Sequence, residues 1–483
     1  MKEDIFMHKP IFNPVLPSWE YVPDVEPRIF GERLYLYGSH DRFGGQDFCL
    51  NDYVGWSAPL DDLSNWQYEG VIYSTKEDPA NADGRQTGFA PDCVQGPDGR
   101  YYLFYCLNRG SNISVAVASN PAGPFTYYGK VHHTDGSLYG GPQSIFGFDP
   151  GVLMDNGRIW LFAGFAAKEP MRSYMKAGGM LVDGSYCVEL APDMLTVLTD
   201  PKLVIPGSEI SVGTGFEGHA FYEASSPRKI GDRYYLIYSS ERSHDLCYAV
   251  SDAPDGTYIY GGILVSMGDI GLRDEADAVN YLENTHGGIV ELQGQWYVFY
   301  HRQTNRCRYA RQCCAEPLQL QPDGSFLQAE VTSCGLNGGP LPGTGSYPAY
   351  IACNISSAEG VCSYTKTEEV GPGHPYLTQT GSDRESDGDQ YLANLQNGAW
   401  VGYKYFAFTG KESRIAVTVR GNGVGTLSVA TSREGIPVAQ MALEANEDWS
   451  EATASLRVPG GTAPLYFTWQ GTGALDINSF TIE

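Results

Sequence analysis

Along the first two thirds of the chain a short polar turn, followed by a run of aromatic and aliphatic residues, recurs five times: GERLYLYGS, DGRYYLFYC, NGRIWLFAG, GDRYYLIYS and GQWYVFYH. The runs begin at Leu34, Tyr101, Ile159, Tyr234 and Trp296, with spacings of 67, 58, 75 and 62 residues. Further strand-like stretches and Pro/Gly turns follow, as in VASNPAGPFTYYGKV (117–131) and AVSDAPDGTYIYGGILV (249–265), with no helical period between them. Four short strands per repeat with variable loops predict the blades of a β-propeller, and five repeats predict five blades. After the Gly/Pro-rich stretch NGGPLPGTGS the pattern becomes YKYFAFTG, RIAVTVRG, GTLSVAT and LYFTWQGTGALDINSFTIE, which predicts an antiparallel β-sandwich. The chain therefore reads as all-β: a five-bladed propeller over 1–336, a linker over 337–346 and a sandwich over 347–483.

Counting back from each hairpin strand exposes a second regularity. Asp24 lies ten residues before Leu34, Asp92 nine before Tyr101, Asp149 ten before Ile159, Glu223 eleven before Tyr234 and His286 ten before Trp296. The strand before the first hairpin of a blade is innermost, so these residues are expected to converge on the central axis. Carboxylates crowded in this way cannot all keep ordinary pKa values, and one is expected to stay protonated beside an ionised neighbour. Their differing types and contexts point to chemistry rather than to a repeated structural contact.

Bulk composition narrows the partners. The 57 acidic and 32 basic residues give a formal charge of −25, which repels phosphate backbones and anionic membranes, so nucleic acid and membrane are not expected partners. The start, MKEDIFMHKP, lacks a secretory apolar core, and no apolar run approaches the ~18 residues of a membrane span. Eleven cysteines without any CxxC pair read as buried, reduced thiols. A soluble, cytoplasmic protein is the resulting expectation.

A protonated and an ionised carboxyl on an aromatic-rich scaffold suit glycoside hydrolysis, in which an acid protonates the leaving oxygen and a base activates water. No GxSxG elbow, phosphate-cradling glycine loop or HExxH helix competes with that reading. Together, PDVEP, FAPD, FDPGVLMDNGRIWLF, FYEASSPRKIGDRYYLIYSS and NTHGGIVELQGQWYVFYHR, spread over roughly residues 10–335, resemble glycoside hydrolase family 43. That resemblance implies a five-bladed propeller with Asp24 as general base, Asp149 as the carboxylate that tunes and orients the acid, and Glu223 as general acid. Phe221 and Tyr222 are then expected to help keep Glu223 protonated. His286 matches the family's axial histidine, which orients a water or a bound cation in the channel. Asp92 belongs to the same substrate site, and Phe89 stands where relatives often carry a stacking Trp. Arg302 is either a partner of a sugar hydroxyl or carboxylate, or a blade-closing ion-pair residue. The resemblance also implies an inverting mechanism, with the Asp24 and Glu223 carboxyls roughly 6.5–9.5 Å apart.

The C-terminal pattern resembles family 6 carbohydrate-binding modules, which makes Trp400, Tyr403, Tyr405 and Trp469 candidate sugar platforms, with membership of the sandwich core as the competing reading. No cofactor is required, and a structural Ca2+ held by the sandwich would serve stability. The expected activity is exo-acting removal of terminal α-L-arabinofuranosyl or β-D-xylosyl units from plant-derived oligosaccharides. A β-galactofuranosidase or exo-galactanase is the alternative on the same carboxylates, and a non-catalytic carbohydrate-binding propeller the alternative of another class.

Overall fold

A computed structural model describes residues 11–274, 277–361, 371–386 and 388–483. Residues 26–327 form five sheets in chain order, four of them four-stranded antiparallel meanders and the third extended to six strands by a parallel edge pair, His132–His133 with Thr196–Val197, and a further strand, Lys202–Pro206. The third sheet also carries an α-helix, Met171–Ala177, inside the longest of the repeats. Chain-order pairing follows from the turns. Asn156 and Gly157, and likewise Gln293 and Gly294, all take positive φ, as a two-residue type I′ hairpin requires. Gly31 and Gly231 take φ +60 at the first position of their turns. A Cβ at any of these four glycines would meet nothing within 4 Å, so conformation rather than space demands glycine there.

Each hairpin buries aromatic and aliphatic side chains on both faces, and each sheet shares one apolar cluster with the next. Leu103 and Tyr105 pack with Tyr35 and Tyr53, Val115 with Leu161, Phe162 with Leu236, and Ile237 with Val298. The series closes where Val25, Leu34 and Trp56 of the first sheet pack with Val290 and Phe299 of the fifth. A parallel bridge between Val25 and Gly287 joins the two innermost strands, and the Asn13 side chain clasps the Ala315 backbone through both its amide atoms. A closed ring of sheets with the first strand of each innermost is a β-propeller.

Beyond it, two six-stranded sheets face each other around a core that includes Tyr403, Phe406, Phe467, Trp469 and Phe480. The Gly/Pro stretch 337–346 is not a free linker, which corrects the expected boundary. Leu341–Pro342 pairs with Phe406–Ala407, and Gly345–Pro348 with Ser479–Ile482, so sandwich edges take up its backbone groups. Of the two readings of the sandwich aromatics, the structure favours core over sugar platform. Tyr403 and Trp469 are fully buried between the sheets, and Trp400 is buried beside Tyr466 with the Arg433 guanidinium 4.6 Å over its ring. Tyr405 donates its hydroxyl to Glu330 of the propeller at 2.7 Å. Next to it, buried Lys404 reaches Glu330 at 2.7 Å and Asp269 at 3.4 Å, locking the two domains together.

Candidate active site

Asp24, Asp149, Glu223 and His286 line one cavity of about 410 Å3, walled by Phe48, Phe89, Phe148, Phe165 and Tyr222. Asp24 and Asp149 sit just before their innermost strands with φ of 57 and 45, a left-handed conformation that L residues adopt at a cost. Glu223 arrives differently. Its strand, Phe221–Ile230, loses register between Phe221 and Glu223 and again between Glu223 and Ser226. That irregularity places Ala224 (φ 71) where Asp24 and Asp149 stand in their sheets and brings Glu223 to the cavity. Tyr222 lines the cavity beside it, while Phe221 is buried against Tyr238 in the cluster between the third and fourth sheets.

The acids are electrostatically unequal. Burial drives the Asp24 pKa upward, but the charge of Arg311 outweighs it and holds the carboxyl below its ordinary value. Arg311 Nη1 lies 2.9 Å from Asp24 Oδ1. Its remaining nitrogens grip Asp41 bidentately, Nε to Oδ2 at 2.8 Å and Nη2 to Oδ1 at 3.0 Å. Among the described residues no guanidinium grips Glu223 in this way. Burial first, then the Asp24 charge, push it up to about 7 against the pull of Arg311 and Arg308. Burial, Glu223 and Asp24 in turn raise Asp149 well above the carboxylate range. Asp24 is thus the ionised acid, and the Asp149–Glu223 pair retains a proton near neutrality. His301, pushed down to about 3 chiefly by burial and Arg311, is neutral: Nδ1 accepts from the Asp24 backbone N–H at 3.3 Å and Nε2–H donates to the Asn284 carbonyl at 2.9 Å.

Phe89 forms part of the cavity wall, edge-on to Phe48 and Phe148. Asp92 and Arg302 do not reach the cavity, which corrects both substrate assignments. Strand pairing sets Asp92, opposite Phe104, level with Glu26, opposite Tyr37, and sets Ala90 level with Asp24. Counting along the sequence could not resolve that two-residue offset. Asp92 is fully buried, accepts bidentately from Arg28 at 2.8 and 2.5 Å, and accepts from the Val152 N–H at 2.8 Å. Arg302 donates to Gln312 and to the carbonyls of Tyr350 and Ala352, fastening the last sheet to the start of the sandwich. His286 lies 3.6 Å from Asp149 Oδ2. Among the described residues no three His, Cys, Asp or Glu side chains converge on a metal position.

The sequence reading missed Arg311, Asp41, His301, Phe48 and Arg308. Three arginines between 306 and 311 in an acidic chain were the available signal. Arg308 Nη2 bonds Glu283 Oε1 at 3.0 Å at the cavity, and Arg308 and Arg311 lie 5.1 and 4.8 Å over the Phe48 ring.

Comparison with known proteins agrees with this geometry. The model of "Glycosyl hydrolases family 43" matches residues 11–326. A xylosidase/arabinosidase of Thermoclostridium stercorarium is 46% identical across 99% of both chains. A xylosidase/arabinosidase of Bacteroides ovatus is 29% identical over 58% of this chain and 86% of its own. Among solved structures, a GH43_1 enzyme from Xanthomonas citri complexed with xylose superposes with a TM-score of 0.54 at 24% identity, covering 68% of this chain and 95% of that one. An arabinoxylan arabinofuranohydrolase from Bacillus subtilis shares the fold over 97% of both chains, with a TM-score of 0.52 and 19% identity. The match over the whole sheet ring and the full-length relative place this chain in glycoside hydrolase family 43.

Proposed function

We propose that the protein is an inverting exo-glycosidase that removes terminal β-D-xylosyl or α-L-arabinofuranosyl units from plant-derived oligosaccharides, without a cofactor. The observation that carries this reading is the opposed electrostatics of two acids in one cavity, Asp24 held down by Arg311 and Glu223 pushed up to about 7. Protonated Glu223 gives its proton to the glycosidic oxygen as the C1–O bond breaks. Ionised Asp24 takes a proton from the water that attacks C1 from the opposite face. The products are the free sugar of inverted configuration and the shortened alcohol. Asp24 is left protonated and Glu223 ionised, and exchange with solvent restores both. Asp149, beside Glu223 and His286, helps hold the proton on the pair until it is needed. The aromatic wall offers faces for sugar C–H surfaces and lowers the local dielectric around the acids. The names of the two xylosidase/arabinosidase relatives support the choice of pentosyl units. Ten buried free thiols among the described residues support a reducing compartment, as a cytoplasmic enzyme acting on imported oligomers would have.

The test is hydrolysis of nitrophenyl β-D-xyloside, α-L-arabinofuranoside, β-D-galactofuranoside and β-D-galactoside by the wild type, Asp24→Ala and Glu223→Ala, with the first-formed anomer read by proton NMR. Turnover of a pentoside to the inverted sugar, abolished in Asp24→Ala, is expected. Turnover confined to galactosides would transfer the assignment to the alternative sugars, and no turnover of any glycoside would favour a binding propeller.

A further inference from the structure

The cavity belongs to the propeller, yet one of its walls is tied down by the sandwich. Residues 41–51 of the first sheet form an irregular loop that contributes Phe48 and Cys49 to the cavity. Asp41 at its start is the residue that grips Arg311, and Arg311 in turn holds Asp24. The two ends of the loop meet on a single carboxylate of the other domain. Asp383 Oδ1 accepts from the Phe43 N–H at 2.7 Å, and Asp383 Oδ2 accepts from Asn51 Nδ2 at 3.0 Å. Asn51 Nδ2 also donates to the Asp41 carbonyl at 2.9 Å, and the Cys49 N–H donates to Asp41 Oδ1 at 3.0 Å. An unbroken set of hydrogen bonds therefore runs from the sandwich through Asn51 and Asp41 to Arg311 and Asp24.

We propose that Asp383 is a positioning residue for the general base: by pinning both ends of the 43–51 loop it fixes Asp41, and through Asp41 the guanidinium that orients Asp24. The inference rests on the assignment of Asp24 as base. Its neighbour Arg384 supplies an internal contrast. Arg384 Nη1 pairs with Glu20 Oε1 at 2.6 Å and contacts His40 Nε2 at 2.9 Å, fastening the domains through the residue that precedes the loop rather than through Phe43 or the Asn51 side chain.

Base misplacement lowers kcat more than it raises KM, because water activation is made only in the transition state. Loss of the tie is also expected to let Arg311 drift from Asp24, so that the base protonates at higher pH. The experiment compares kcat, KM and the acidic limb of kcat/KM for Asp24→Asn, Asp383→Ala, Asp383→Asn and Arg384→Ala in the full chain. Asp383→Ala is expected to lose about tenfold or more in kcat, an ångström-scale displacement costing up to ~100-fold. Its acidic limb moves to higher pH, and Asp383→Asn recovers part of both effects through its remaining acceptor. Arg384→Ala lowers Tm and leaves the limb in place. An Asp383→Ala enzyme with wild-type kcat and limb, or one that matches Arg384→Ala by losing only Tm, overturns the proposal. Should Asp383→Ala not fold, Asn51→Ala cuts the same tie from the loop side, and an unmoved limb there overturns it equally. Wild-type turnover by Asp24→Asn would refute the base assignment itself and this inference with it, an outcome distinct from an Asp383 effect that fails to appear.

Discussion

The replacement Glu223→Gln is expected to abolish turnover of unactivated oligosaccharides and yet stabilise the protein above neutral pH. The Glu223 carboxyl moves from an ordinary 4.5 in the unfolded chain to about 7 in the folded one, chiefly through burial and then the Asp24 charge. A shift of roughly 2.5 units corresponds to about 3 kcal/mol, since each unit is ~1.4 kcal/mol. Between these two values the folded state binds more protons than the unfolded chain, so stability falls as pH rises through the window from 4.5 to about 7 and is level above it. Glutamine is neutral at every pH and escapes that loss. The variant should therefore match the wild type to within a few tenths of a kcal/mol at pH 4 to 4.5 and exceed it by about 3 kcal/mol at pH 8. At ~2–4 °C per kcal/mol, the Tm gap should open from near zero to several degrees across that range. Paired thermal scans of wild type and variant from pH 4 to 9 read it directly. A gap independent of pH, or a variant less stable at pH 8, would refute the claim that the site holds this acid protonated. The same group sets the basic limb of activity: with a value of about 7, roughly nine tenths of Glu223 is protonated at pH 6 and one tenth at pH 8, so kcat/KM on oligosaccharides should fall about tenfold between pH 6 and 8 toward its limiting slope.

Glu223→Ala should lose ~100- to 10,000-fold in kcat/KM on a xylo- or arabino-oligosaccharide but only a few-fold on a nitrophenyl glycoside, whose phenolate leaves without protonation; equal losses on both substrates would remove Glu223 from the acid role. Asp24→Ala should lose a similar factor on both substrates, because water activation does not depend on the leaving group, and a variant rescued by the nitrophenyl leaving group would exclude Asp24 as the base. Arg28→Met strands the buried carboxylate of Asp92, so it should lower stability by about 3–5 kcal/mol by denaturant titration while the folded fraction keeps the wild-type KM; a raised KM without destabilisation would return Asp92 to the substrate site. Lys404→Met takes the buried interdomain cation from fully buried Asp269, and a loss of stability is expected there, read as an earlier thermal transition.

What the sequence displayed clearly were the features carried by local periodicity. The five hairpins pair where their turns require, with Gly at Gly31, Gly157, Gly231 and Gly294, and two further β-sheets follow the change of pattern near residue 337. Asp24, Asp149, Glu223 and His286 meet because each lies just before or within an innermost strand. The errors arose where one residue of register matters. Asp92 stands two residues deeper than Asp24 once strands are aligned by their pairing, and the distances counted back to hairpin starts, ten and nine residues, conceal this. Arg311 could not have been joined to Asp24 by any local pattern, because 287 residues separate them and only ring closure brings the last sheet beside the first. For the aromatic residues of the sandwich the sequence left two readings, and pairing decides between them: Tyr403 and Trp469 have the composition of a sugar platform, but their positions on paired strands turn them into the core.

The channel also shows how one fold separates structural acids from reactive ones. In the deeper tier Glu26 receives Arg228 at 2.7 Å and the Ser226 hydroxyl at 3.0 Å, while Asp92 receives the fork of Arg28. Two cations face two anions, and the Glu26 carboxyl is held below its ordinary value by Arg228 and then Arg28, against burial. In the upper tier the count is unequal. Among the described residues one arginine, Arg311, reaches any of Asp24, Asp149 and Glu223 at hydrogen-bond distance, and Asp41 already occupies two of its nitrogens. The third nitrogen goes to Asp24 alone, so charge is affordable on that oxygen and costly on its neighbours. A single guanidinium thereby assigns base and acid. Substituting it should move both limbs of the pH profile together: Arg311→Lys, which keeps a charge but loses the fork, is expected to raise the Asp24 limb and, with Arg311's pull on Glu223 weakened, to raise the basic limb as well. A variant in which only one limb moved would show that the two acids are tuned separately, and the shared-cation account of this site would fail.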